Sequence, residues 1–222
     1  MLHADVGPFM LGNIAADARV GSGAPRETTH FYAYGEMGED APWRVMIRQN
    51  PGLLHPHDAA HRAFIAGYVT HLAADEYWSR NMVGPHFVAR EWADRGFRFY
   101  MLHIIMIHMD LRDRDKLDDW QPDALCTAHP DHWVAFASDD DLCAWQRLIY
   151  DQIKPGGASQ TYAIMAERLG KEPDELRAFV ESPEQMESGL WRHIPQYLLR
   201  EVETGMYAYA RDQLALYLDA AE

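Results

Sequence analysis

The chain is nearly free of cysteine: Cys126 and Cys143 are the whole complement in 222 residues. Two thiols cannot build the disulfide framework of a small secreted scaffold. Long apolar runs are missing too. The longest, Phe97 to Leu111, carries His103, His108 and Asp110 and is shorter than the roughly 20 residues that span a bilayer. The opening Met-Leu-His-Ala-Asp-Val-Gly-Pro-Phe has no basic segment leading into an apolar one, so the given chain carries no signal-peptide pattern. These absences set the expectation of a cytoplasmic protein with no stable membrane insertion. Positive charge is scarce, with 20 Lys and Arg against 34 Asp and Glu and a formal net charge of −14. Such a surface repels phosphate backbones and anionic membranes, which argues against nucleic acid as a partner. A phosphate-bearing substrate would need another attractor, and a buried divalent cation would serve. Neither an internal repeat nor a strand-like alternation is present, so the expected fold class is all-α.

What is present is a core. Apolar residues make up 48% of the chain and aromatics 12%, with seven Trp, enough for one domain over residues 1–222. A short apolar helix is expected over residues 1–16, broken near Gly12. From Ala18 to Pro56 five Gly and four Pro interrupt the pattern, and a loop-rich stretch of that length is usually functional. Phe31–Tyr34 and Trp43–Ile47 read as short extended pieces within it. Helical periodicity begins near Asp58 and runs to about Met82, with Gly84-Pro85 ending or kinking it. Further helices are expected over 85–117 with a break near Gly96, then 139–154, 159–169 and 173–180. Ser182-Pro-Glu-Gln185 has the form of a capping box and opens a last helical region to about Ala220, kinked near Pro195.

The chemistry gathers on the helix from Asp58. His71 and Asp75 stand one turn apart on one face, among Phe64, Tyr68 and Trp78. A carboxylate held there needs a partner, and a divalent metal would satisfy both residues. A simple polar pair is the plainer alternative for a His-x-x-x-Asp. Asp17, which closes Gly12-Asn-Ile-Ala-Ala-Asp17, and His30, in Thr29-His30-Phe31, add a carboxylate and an imidazole. Two imidazoles with two carboxylates suit Zn²⁺, with Mn²⁺ or Fe²⁺ also compatible. Asp17 is the candidate for the carboxylate that positions or deprotonates a water.

These segments, together with Phe64-Ile-Ala-Gly-Tyr-Val-Thr-His71-Leu-Ala-Ala-Asp75, resemble the zinc-dependent phospholipase C family, in its bacterial branch related in fold to the S1/P1 nucleases. The resemblance covers about residues 9–115, with a helical extension over about 138–222. It implies a multi-helix bundle in which Asp17, His30, His71 and Asp75 fill one zinc site, with Asp75 able to bridge to a neighbouring metal. The family's full site holds three zinc ions, and this chain departs from it. The His expected six residues after Asp75 is Asn81. The later His-x-x-x-Glu is missing, since Ile107 follows His103 and Arg112 follows His108. His103 and Asp110 are substitutes at helical spacing, His3 a stand-in for the N-terminal ligands, and His86 a further candidate. The resemblance implies a metal-dependent phosphodiesterase acting on a small phosphate ester, with one ion and room for more. Two alternatives stand beside it. One is a non-catalytic module in which a reduced metal cluster ties the N-terminal loops to the helices. The other is an HD-type phosphohydrolase, suggested by His57-Asp58, although Asp58 also reads as a helix cap.

Overall fold

Two glycines with no room for a side chain organise the molecule. The computed structural model describes residues 5–33, 35 and 37–221, and every regular element among them is helical. Helix α1 (Val6–Ala15) crosses α5 (Ala59–Trp78) at backbone contact. A Cβ on Gly12 would sit 2.0 Å from the Phe64 carbonyl oxygen, and one on Gly67 would sit 2.0 Å from that of Phe9. The crossing therefore requires glycine on both sides, and α1 runs through Gly12 without the break expected there, because that glycine serves the close approach rather than a helix end. Asn13 sews it shut: its amide donates to the Phe9 carbonyl at 3.0 Å, and its side-chain oxygen accepts from the Thr70 hydroxyl at 2.7 Å.

The interrupted stretch between α1 and α5 is more helical than its Gly and Pro content suggests. A 3₁₀ turn (Ala16–Ala18) leads into α2 (Arg19–Ser22), α3 (Arg26–His30) and α4 (Pro42–Gln49). Trp43–Ile47, expected to be extended, lies inside α4. Its buried residues, Trp43 and Met46, are three apart, and Pro42 occupies the first turn, where a missing N–H costs nothing. Phe31 ends α3 in the left-handed region at φ 63°; Tyr34 lies outside the described residues.

Asp58 caps α5, accepting from His61 N at 2.8 Å. The helix does not stop at Gly84-Pro85. It continues as π-helical turns over Ser79–Ala89 with Pro85 inside, where the wider turn relaxes the clash of a proline ring with the preceding carbonyls. The Arg98 guanidinium then closes the exposed end, donating to the carbonyls of Phe87, Val88 and Arg90 at 3.0 Å each. Helix α6 (Arg95–Arg114) starts from an Asp94 cap at 2.9 Å. After it come α7 (Trp120–Leu125), α8 (Asp139–Ile153), α9 (Thr161–Leu169), α10 (Pro173–Val180), α11 (Pro183–Met186) and α12 (Gln196–Ala220). Ser182 caps α11 as the capping-box reading expects.

The core has two parts. One gathers α1, α4, α5 and α8 around Phe64, Tyr68, Trp133 and Tyr217. The other gathers the π-helical segment, α6 and α9–α11 around Met101, Ile104 and Leu190. Helix α12 lies along α5 and spans both. Gly205 packs on the Tyr77 ring, Tyr209 donates to Glu76 at 3.0 Å, and Gln213 accepts from the Trp43 indole at 2.9 Å. Trp120 is 52% exposed on the short α7, while His61 is buried with Nε2 2.7 Å from the Trp133 carbonyl. Among the described residues, no helix is long and apolar enough to cross a membrane.

Candidate metal centre

The α1–α5 crossing delivers one residue of the site directly. His71 Nδ1 lies 2.7 Å from the Asn13 carbonyl. A carbonyl can only accept, so the proton of a neutral imidazole sits on Nδ1 and Nε2 keeps its lone pair. That Nε2 is buried and has no hydrogen-bond partner among the described residues. A buried nitrogen left this way is costly unless something fills its lone pair.

The opposite wall comes from α3. His30 is 1% exposed. Its Nδ1 lies 3.0 Å from the Thr29 hydroxyl, which is also 3.5 Å from the Arg26 carbonyl. If the hydroxyl donates to that carbonyl, it accepts from His30 Nδ1–H, and Nε2 again faces inward. Burial, then the charges of Arg26 and His71, push the His30 pKa down from 6.5 to about 3. The ring is therefore neutral, the state a ligand requires. Its left-handed neighbour Phe31 is held by an edge contact to Phe136 at 5.0 Å, so packing supports an uncommon backbone beside the site.

Asp17, on the 3₁₀ turn that follows α1, completes the group. Ligand atoms of Asp17, His30 and His71 all lie within 4.8 Å of one another, and the Asp17 side chain is 39% exposed. Two imidazoles and a carboxylate, one of them an orphaned buried nitrogen, fit a divalent ion. Three protein ligands with a solvent-facing edge is the pattern of a catalytic zinc site, whereas structural sites are closed by four.

Asp75 is brought to the same place but serves another partner first. Its Oδ2 is 3.7 Å from His30 Nε2, pairs with the Arg26 guanidinium and accepts from the Tyr32 hydroxyl at 3.1 Å. Burial alone would raise its pKa, yet His71, Arg26 and His30 outweigh it and hold the carboxyl below its usual range. Burial, with the same carboxylate, pushes Tyr32 up to about 12, so the phenol remains a donor. Arg26 and Tyr32 are the residues that sequence reasoning missed. The available signal was spacing, since Arg26 stands four residues before His30 on one helical turn.

The other candidates lie elsewhere. His103 turns its Nδ1 to the Phe99 carbonyl at 2.9 Å, and Asp110 accepts from the Thr161 hydroxyl. This face of α6 looks toward α9 rather than α5, so neither residue supplies an atom to the cluster. His86 sits in the π-helical segment beside Trp92, and His3 lies outside the described residues. A second group, Asp131, His132 and Asp139, is at the surface, where Asp139 accepts from the His132 backbone N–H and tethers the loop to the start of α8. Compared with known proteins, the chain matches no family model, no curated protein and no solved structure.

The buried imidazole has a consequence for acid stability. Between about pH 6.5 and 3, the unfolded chain protonates His30 while the folded chain does not, so stability falls across that window as pH drops. Above it the residue contributes nothing to the pH dependence. The shift corresponds to a loss on the order of 5 kcal/mol when complete. His61, His103 and His108 are shifted in the same direction by burial. Urea midpoints of chelator-treated protein at about pH 7 and about pH 4 check this. The expected result is a markedly lower midpoint in acid, reduced in His30→Gln.

Proposed function

We propose that this chain is a metal-dependent hydrolase of phosphate esters, using zinc at Asp17, His30 and His71 and related to zinc-dependent phospholipase C. The observation that carries the reading is the open three-residue group around the orphaned Nε2 of His71. Zinc held there supplies Lewis acidity toward a phosphoryl oxygen and lowers the pKa of a water toward about 7. The protein's own contribution is positional. Asn13 fixes the His71 tautomer, Thr29 steadies His30, and Asp17, at the solvent edge, has a second carboxylate oxygen to receive the proton of an attacking water. Tyr32 connects this group to a cavity of about 480 Å³ also lined by Glu39, Asp40, Val45 and Arg48. The mixed polar lining suits a small polar leaving group better than acyl chains.

The direct test is hydrolysis of bis(p-nitrophenyl) phosphate and p-nitrophenyl phosphate, before chelation, after it, and after zinc is restored. The expected outcome is nitrophenolate release that chelation abolishes and zinc returns. A zinc-loaded protein inert to both would contradict the hydrolase reading.

One observation favours a second reading. Asp75 is engaged by Arg26 rather than left to bridge to another ion, which suits a single ion tying α1 and α3 to α5 without turnover. On that reading chelation lowers the thermal midpoint sharply and no ester is cleaved. The HD-type alternative finds less support, because Asp58 Oδ1 is committed to capping α5 and His57 is exposed.

A further inference from the structure

We propose that Arg80 is a positioning residue for substrate binding: it holds one wall of the cavity beside Tyr32 and so decides which ester groups fit there; the proposal rests on the hydrolase reading above. The wall is made by residues 38–40, which line the cavity and are all exposed. Little else holds it. Among the described residues it makes no backbone-to-backbone hydrogen bond, and a Cβ added at Gly38 would meet nothing within 4 Å. Asp40 pairs with Arg48 at 2.7 Å, but both side chains are more than half exposed, and such surface pairs contribute little. Glu39 also lines a second cavity, of about 500 Å³, together with Glu76, Arg80 and Tyr209. The wall thus has open space on both sides.

One side chain bridges that space. Arg80 Nη2 donates to the Gly38 carbonyl at 2.7 Å, and its Nε donates to Glu76 Oε1 at 2.9 Å. Glu76 is 4% exposed, and its other oxygen accepts from the Tyr209 hydroxyl at 3.0 Å. The guanidinium is therefore aimed by a buried carboxylate that α5 and α12 hold between them, and that charge-assisted bond fixes the end Arg80 presents to the wall. Adjacent residues of α5 divide the work: Asp75 serves the metal centre and Glu76 the cavity wall. Arg80 makes no hydrogen bond or ion pair to Asp17, His30 or His71. Its loss should act on the fit of the substrate and leave the reacting atoms as they are.

The test uses zinc-loaded full-length wild type, Arg80→Lys, and the double variant Glu76→Gln with Arg80→Met, which leaves no buried charge unpaired. Arg80→Lys keeps a cation on Glu76 but lacks the planar fork that serves two acceptors, and it carries the test if the double variant does not fold. The readouts are KM and kcat for bis(p-nitrophenyl) phosphate and p-nitrophenyl phosphate, zinc content, and the rate of cleavage after Glu39 by a glutamate-specific protease. In the double variant KM for the diester is expected to rise roughly 10-fold, and less in Arg80→Lys, while kcat for both esters stays within about twofold. KM for the monoester, which has no second ester group to seat in the cavity, should stay within about twofold too. Zinc content is unchanged, and cleavage after Glu39 becomes roughly 10-fold faster as the wall opens more often. An unchanged diester KM, an equal rise for both esters, loss of zinc, or wild-type cleavage after Glu39 would each overturn the proposal. Wild type inert to both esters fails at an earlier step: it refutes the hydrolase reading, and the wall's part in substrate binding with it.

Discussion

Gly67→Ala is expected to destabilise the protein by about 3 kcal/mol, at the upper end of what overpacking costs, and to weaken metal binding with it. The added methyl would meet the Phe9 carbonyl at 2.0 Å, a backbone atom that cannot swing aside. Helix α1 must then lift from α5. That movement pulls the Asn13 carbonyl from His71 Nδ1 and shifts Asp17, which follows α1 directly. Gly12→Ala meets Phe64 O at the same distance and should behave alike. Gly21→Ala is the control: a methyl added there would have nothing within 4 Å of it, and alanine suits the short α2, so the change should stay within about 0.5 kcal/mol or be mildly stabilising. Urea unfolding compares the three. A wild-type midpoint in Gly67→Ala would show that α1 is not seated where the site requires it.

His71→Ala is expected to weaken zinc binding more than about 100-fold, since losing a ligand should exceed the 10- to 100-fold cost of losing a ligand's hydrogen-bonded support. Ester hydrolysis should fall to background with it. The fold should survive. The substitution removes one buried hydrogen bond to Asn13, worth about 1–2 kcal/mol, and also removes a buried nitrogen that has no partner. Zinc titration against a chromophoric chelator reads the first effect, and circular dichroism reads the second. Wild-type zinc affinity in this variant would refute the assignment of His71.

The parts of this protein legible in its sequence are those governed by local spacing. The four-residue step from His71 to Asp75, the Asp58 and Ser182 caps and the all-helical class follow from helical geometry, and the structure contains them. Asp17 and His30 could be selected as polar residues in a stretch that needed explaining, and the structure brings both to His71. What the spacing could not supply is which way a helix faces in the assembled core. His103 and Asp110 share a face of α6, but that face packs toward α9. The π-helical turns over Ser79–Ala89 were hidden because eleven residues do not distinguish a wider period from an ordinary helix ended by proline. Arg26 was hidden for a different reason. An arginine in a loop-rich acidic chain reads as a surface charge until the fold places it on Asp75.

Zinc X-ray absorption on protein purified without added metal and then loaded with one equivalent reads the ligand set at the metal itself. The expected spectrum is that of a single bound ion with two imidazole nitrogens at about 2.0–2.1 Å, carboxylate oxygen at about 2.0–2.2 Å and a remaining light-atom position from solvent. The imidazole scattering should halve in His30→Gln. A protein that binds no ion, or a spectrum with sulfur neighbours at about 2.3 Å, would contradict the centre at Asp17, His30 and His71.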